Sequence, residues 1–156
     1  MSVKNCLLIL FCIALHQVNA GRGLSKLPSS GQLSFRGNGQ LYKAVSTHAR
    51  GYAVPLSDTA FIRAANNTDL VINLEWYGFT GTGSYQLRPG SGTAAFILQH
   101  KDFNLEGQGC YLRIIINKIT QQGAFRLLSG RFEGELQHVK GERMKITEGT
   151  FETYSL

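Results

Sequence analysis

Residues 127–156, LLSGRFEGELQHVKGERMKITEGTFETYSL, decide the fold. Early in this stretch Leu128, Gly130, Phe132, Gly134 and Leu136 stand two apart. Successive side chains of a strand point to opposite faces, so these five share one face. Ser129, Arg131, Glu133, Glu135 and Gln137 then share the other. That is a strand with one apolar and one solvated side. The two glycines on the apolar side are unusual, because a glycine inside a strand costs roughly 0.5–1 kcal/mol against alanine. A bulge, a strong bend or the close approach of a large ring can offset that loss. The functional alternative is that bare glycines open room for a ligand inside a barrel. The structural bend is the reading adopted. Gly149 repeats the theme: Ile146 is followed by a break of phase near Glu148-Gly149 and then by Phe151.

The pattern extends upstream. In Tyr111–Ile119, Leu112, Ile114 and Ile116 share a face, and Arg113 and Ile115 point the other way. Ile114, Ile115, Ile116, Ile119 and Thr120 are β-branched, which disfavours a helix. Gln121–Ala124 reads as a turn, and Phe125–Leu128, Arg131–His138 and Met144–Tyr154 read as strands. Leu70, Ile72, Leu74 and Trp76 alternate with Val71, Asn73 and Glu75, after a hairpin turn at Asn66-Asn67. Pro89-Gly90 marks a turn between Tyr85–Leu87 and Thr93–Leu98. Gly37-Asn38-Gly39 turns one strand ending near Phe35 into another over Leu41–Val45. His100-Lys101-Asp102 reads as a polar surface turn, and residues 45–58, with Pro55, read as irregular. The chain has 18 glycines and 3 prolines and no sustained helical period. The expectation is an all-β domain over 31–156: a single antiparallel β-sandwich or flattened β-barrel of about nine or ten strands, mostly up-and-down hairpins.

Segment 109–156 resembles the C-terminal half of small secreted or lipid-anchored all-β domains of unknown function that are common in Bacteroidetes. Leu128-Ser129-Gly130-Arg131-Phe132 and Ile146-Thr147-Glu148-Gly149-Thr150-Phe151 carry the likeness, with Gly83, Tyr85 and Leu87 upstream. The resemblance implies an all-β exported domain and brings no catalytic residues. Many such domains carry a lipobox cysteine. Here Cys6 follows Asn5 and Cys12 follows Phe11, which does not fit that motif.

Residues 1–20, MSVKNCLLILFCIALHQVNA, read as a signal peptide. Lys4 supplies the basic start, Cys6–Leu15 the apolar run, and Val18-Asn19-Ala20 the small residues before a cut at Gly21. The run is shorter than the ~20 residues a membrane span needs. Residues 21–30 read as a flexible leader. The expected location is secreted, or periplasmic and at the cell envelope. Of the 3 cysteines only Cys110 falls beyond the signal, so no intrachain disulfide is expected there, and a buried inert thiol is. The formal net charge of +6 is scattered along the chain. Without a basic run, no nucleic-acid arm is expected. A mildly basic surface can favour anionic envelope or matrix polymers, although a solvated face is the plainer reading. A monomer is expected.

The catalytic inventory is thin. His48, His100 and His138 are far apart in sequence, so no metal or other cofactor is expected. Gly81–Gln86 mimics a phosphate loop but precedes a strand rather than a helix. Asp102 with Glu106, or Glu133 with Glu135, could pair for glycoside hydrolysis, but Glu133 and Glu135 face outward beside Arg131. No enzyme is expected. Trp76, Tyr77 and Phe79, at a strand end, are the candidate binding residues, with core packing the competing role for Trp76. Asn66-Asn67-Thr68 matches the N-glycosylation pattern. The expected function is an exported, non-catalytic domain that binds a protein partner or a small ligand. The alternative is a lipocalin-like carrier of a small apolar ligand.

Overall fold

The computed structural model describes residues 31–46, 50–53, 58–66, 70–123 and 125–154. The signal and leader readings (1–20 and 21–30), Pro55 and residues 67–69 lie outside the described residues. The described residues form eleven strands: β1 (Gly31–Gly37), β2 (Gln40–Ser46), β3 (Arg50–Ala53), β4 (Ala60–Ala65), β5 (Leu70–Trp76), β6 (Gly83–Leu87), β7 (Gly92–Leu98), β8 (Lys101–Asn104), β9 (Tyr111–Gln122), β10 (Phe125–His138) and β11 (Arg143–Glu152). Their pairings are antiparallel. No helix among the described residues is long and apolar enough to cross a membrane.

The strands follow the order β2-β1-β11-β10-β3-β4-β5-β7-β8, with β9 also on β10 and β6 on β9. β10 joins the two halves. Its start pairs with β3 at Arg126↔Ala53, and its end pairs with β8 at Gln137↔Asn104 and His138↔Phe103. The path β3-β4-β5-β7-β8 therefore leaves β10 at one end and returns to it at the other. The sheet is nearly closed into a flattened barrel, which removes most of its free edge.

Alternation places the core as expected. Leu112, Ile114 and Ile116 are buried, as are Leu128, Phe132 and Leu136. The interior is filled by rings from both halves. Phe35 meets Phe96 edge-on at 5.2 Å and Phe132 at 5.9 Å, and Phe96 meets Phe132 at 6.1 Å. Tyr42 stacks on Phe35, and Phe151 lies against Phe132. Such ring pairs add to the hydrophobic gain of burying them.

The glycines of the closing stretch answer to space. A Cβ on Gly130 would overlap the carbonyl oxygen of Ile115 and come within 2.8 Å of Phe151 Cζ. On Gly134 it would overlap the carbonyl oxygen of Tyr111, and on Gly149 that of Phe132. β9 thus rides close over β10, and the Phe132 ring covers the bare backbone of Gly149. The β9–β10 ladder shifts register between Leu128 and Glu133, and the β10–β11 ladder between Phe132 and Gly134. Glu148, at φ 53°, is the extra residue that resets β11 from Ile146 to Phe151.

Three local differences from the sequence expectation have physical reasons. β10 is one strand rather than two, because its glycines bend the strand without ending it. Arg50–Ala53 is a strand paired with β4, where irregular chain was expected. The polar turn expected at His100-Lys101-Asp102 is shorter: Gln99 and His100, at φ 50° and 66°, make a two-residue hairpin, and Lys101 already pairs with Leu98. Side chains other than glycine rarely take this left-handed backbone. His100→Gly is therefore expected to stabilise the protein by about 0.5–1 kcal/mol. An unchanged or lowered urea midpoint would contradict this. The Asn38-Gly39 turn, at φ 49° and 86°, carries the residues its geometry favours.

Candidate functional site

The three residues marked by the sequence separate in the fold. Trp76 is 1% exposed and Phe79 4%, while Tyr77 is 64% exposed. Alternation along β5 carries Trp76 to the same side as Leu70, Ile72 and Leu74. Its ring lies 6.2 Å from Phe79 and 5.8 Å from Tyr85, and Phe79 stacks on Tyr85 at 5.6 Å. The Arg126 guanidinium covers Phe79 at 5.3 Å. The Tyr85 hydroxyl donates to the Gly81 carbonyl at 2.6 Å and accepts from the Gly81 N–H at 3.0 Å. Trp76, Phe79, Tyr85 and Arg126 thus form one cluster, and of the three sequence candidates Tyr77 alone faces solvent. Trp76 Nε1 is buried with no hydrogen-bond partner.

The two candidate carboxylate pairs lie in different places. Asp102 and Glu106 line an open groove of about 380 Å³ over β7 and β8, with Thr93, Ala95 and Asn104. The small Ala95 opposite Asn104 makes the depression. Asn104 Oδ1 accepts from the Glu106 N–H at 3.1 Å and fixes the turn. Glu133 and Glu135 face outward and are each held by an arginine: Arg113 lies 3.6 Å from Glu133, and Arg143 bonds Glu135. The hydrogen bond that Arg143 donates to Glu135, and then the charge of that carboxylate, raise the guanidinium above its ordinary pKa. His138 Nδ1 accepts from the Lys140 N–H, and its ring packs against Phe103. Cys110 is a buried free thiol. Among the described residues no cluster of His, Cys, Asp or Glu could hold a metal ion.

The solvated face of β2, β1, β11 and β10 brings together residues that sequence spacing leaves apart. Ser34 is paired with Lys43 on β2 and with Thr150 on β11, and Thr150 is paired with Arg131 on β10. These four form one row across four strands, with the Ser34 and Thr150 hydroxyls 3.1 Å apart. Two open grooves flank the row. One, of about 410 Å³, runs along Arg113, Ile115, Arg131, Glu133 and Glu148 at the Glu148-Gly149 bulge. The other, of about 200 Å³, lies among Gln32, Ser34, Lys43 and Thr150. Arg36 and Arg113 are paired with Glu148 and Glu133. Lys43 and Arg131 have no ion-pair or hydrogen-bond partner among the described residues. The alternation of Arg131, Glu133 and Glu135 signalled an outward face. Only the register reveals the row.

No family model matches the chain, and no curated protein or solved structure is similar to it.

Proposed function

We propose that this chain is an exported, non-catalytic all-β domain that binds its ligand or partner on the outer surface, at the cell envelope or outside the cell. The observation that carries this reading is the filled interior, where Phe35, Phe96 and Phe132 pack in mutual contact. A carrier of the lipocalin type needs space at that place. The grooves described above open outward instead. Export is supported by the basic, apolar and small-residue order of residues 1–20 and by the resemblance of the C-terminal strands to exported Bacteroidetes domains. The non-catalytic reading is supported by the engagement of Glu133 and Glu135 with arginines.

Two measurements test it. Fractionation of producing cells is expected to place the chain outside the cytoplasm. Thermal melting with fatty acids and other apolar ligands is expected to leave Tm unchanged. A cytoplasmic location, or a rise of about 3 °C or more with an apolar ligand, would overturn the reading.

A further inference from the structure

We propose that the row Lys43–Ser34–Thr150–Arg131, with the groove at the Glu148-Gly149 bulge, binds an acidic polysaccharide whose chain runs across the strands. This rests on the outer-surface reading above and names the ligand class for that surface. The first support is geometric. Three strand steps separate Lys43 from Arg131, which sets the two cations about 14 Å apart. Neither has a counter-ion among the described residues, and both are exposed. Between them, the paired hydroxyls of Ser34 and Thr150 can each turn to donate to, or accept from, a sugar.

The second support is chemical complementarity. The Arg131 guanidinium presents a planar fork of donors, which suits a carboxylate or sulfate group held by two parallel hydrogen bonds. Glu133 and Glu148, in the same groove, can accept hydrogen bonds from sugar hydroxyls. Both are already paired with Arg113 and Arg36, so the excess charge of the site is the two unpaired cations, too few to follow a densely charged polymer. Duplex nucleic acid carries one charge per about 1.7 Å of its axis, and the sites that hold single strands use aromatic rings to stack bases. The row has no ring, and the one ring among the residues lining the groove, Phe132, is buried in the core and offers no face for stacking. Partly buried Ile115 adds an apolar patch of groove floor for the carbon face of a sugar. Mixed charge with two free cations, hydroxyls between them and no stacking ring fits a chain with widely spaced anions and many hydroxyls.

The test is affinity electrophoresis of the full chain, with titration at low and physiological salt, against polygalacturonate (carboxylated), heparin (sulfated), dextran (neutral) and duplex DNA. Retardation by at least one acidic polysaccharide and none by dextran is expected. The carboxylated and sulfated arms distinguish the two sources of charge. Lys43→Gln and Arg131→Gln should each weaken binding about tenfold, and the double variant should weaken it further. Arg88→Gln removes an exposed charge in the β6–β7 turn and should leave binding unchanged. Circular dichroism melts must match wild type, which exposed substitutions permit. Equal weakening by Arg88→Gln would mean that net charge alone binds, and would overturn the proposal. So would DNA binding at least as tight as that of both polysaccharides, or no binding to either polysaccharide. Those results leave the outer-surface reading to the fatty-acid melts, so the two can fail separately.

Discussion

Gly130→Ala is expected to destabilise the protein by about 3 kcal/mol or more, although alanine is ordinarily the better strand residue. The added methyl would overlap the Ile115 carbonyl oxygen of β9 and press on the Phe151 ring. A ring at the end of a side chain can swing away. The Ile115 carbonyl is backbone fixed by the Ser84↔Ile115 pair with β6 and by the β9–β10 pairs on either side, Leu128↔Ile119 and Glu133↔Arg113, so it cannot move without disturbing pairs of the two longest strands. Urea unfolding followed by fluorescence measures the loss. Ser129→Ala, one residue away on the partly exposed side, provides the comparison and should change stability by no more than about 0.5 kcal/mol. A loss at position 130 below about 1 kcal/mol would mean that β9 can lift away, and the close-approach explanation of the glycine would fall.

Phe132→Ala carries the second large effect, a loss of about 3–5 kcal/mol. Phe132 is 2% exposed and meets Phe35, Phe96 and Phe151. Its truncation removes ring contacts with both halves of the barrel and uncovers the bare backbone at Gly149. Phe132→Leu keeps more of the volume and should lose clearly less. A double-mutant cycle with Phe35→Ala should return a favourable coupling of about 0.5–1.5 kcal/mol, the excess expected of a ring pair. Additive losses would show that the two rings share a core without supporting each other.

These two residues also mark how far the sequence could be read. The face shared by Leu128, Gly130, Phe132, Gly134 and Leu136 follows from period-two spacing alone, and so does that of Leu112, Ile114 and Ile116. The phase break before Phe151 was legible because Gly149 and Ile146 fall out of step. β3 was less legible, since Arg50–Ala53 is short and lies just before Pro55. Its pairing with Arg126 of β10 depends on a residue far along the chain. The Gln99-His100 turn was hidden because Gln99 does not favour a left-handed backbone and the leaning of His100 toward it is weak beside that of Asn or Gly. For Trp76, Tyr77 and Phe79 the aromatic content was visible, but the inward direction of Trp76 came from the alternation of β5 and that of Phe79 from the fold of the following loop. The Lys43–Ser34–Thr150–Arg131 row was beyond reach. Its register is fixed partly by a bulge at Glu148, and Ser34 and Thr150 are 116 residues apart.

The pairing of β1 with β11 has a consequence for the time course of folding. Gln32 meets Glu152, and Gly37 meets Ile146, so an early strand finds its inner neighbour only when nearly the whole chain is present. Until then β1 has only its hairpin partner β2, and a lone hairpin is marginal in water. Folding dominated by such distant pairings takes roughly milliseconds to seconds, far slower than local helix formation. A chain that emerges in order from its N-terminus therefore cannot seat β1 and β2 on the rest of the sheet until β11 is out. Under the export proposed above, that delay would keep β1 unpaired with β11 while the chain is threaded through a narrow channel.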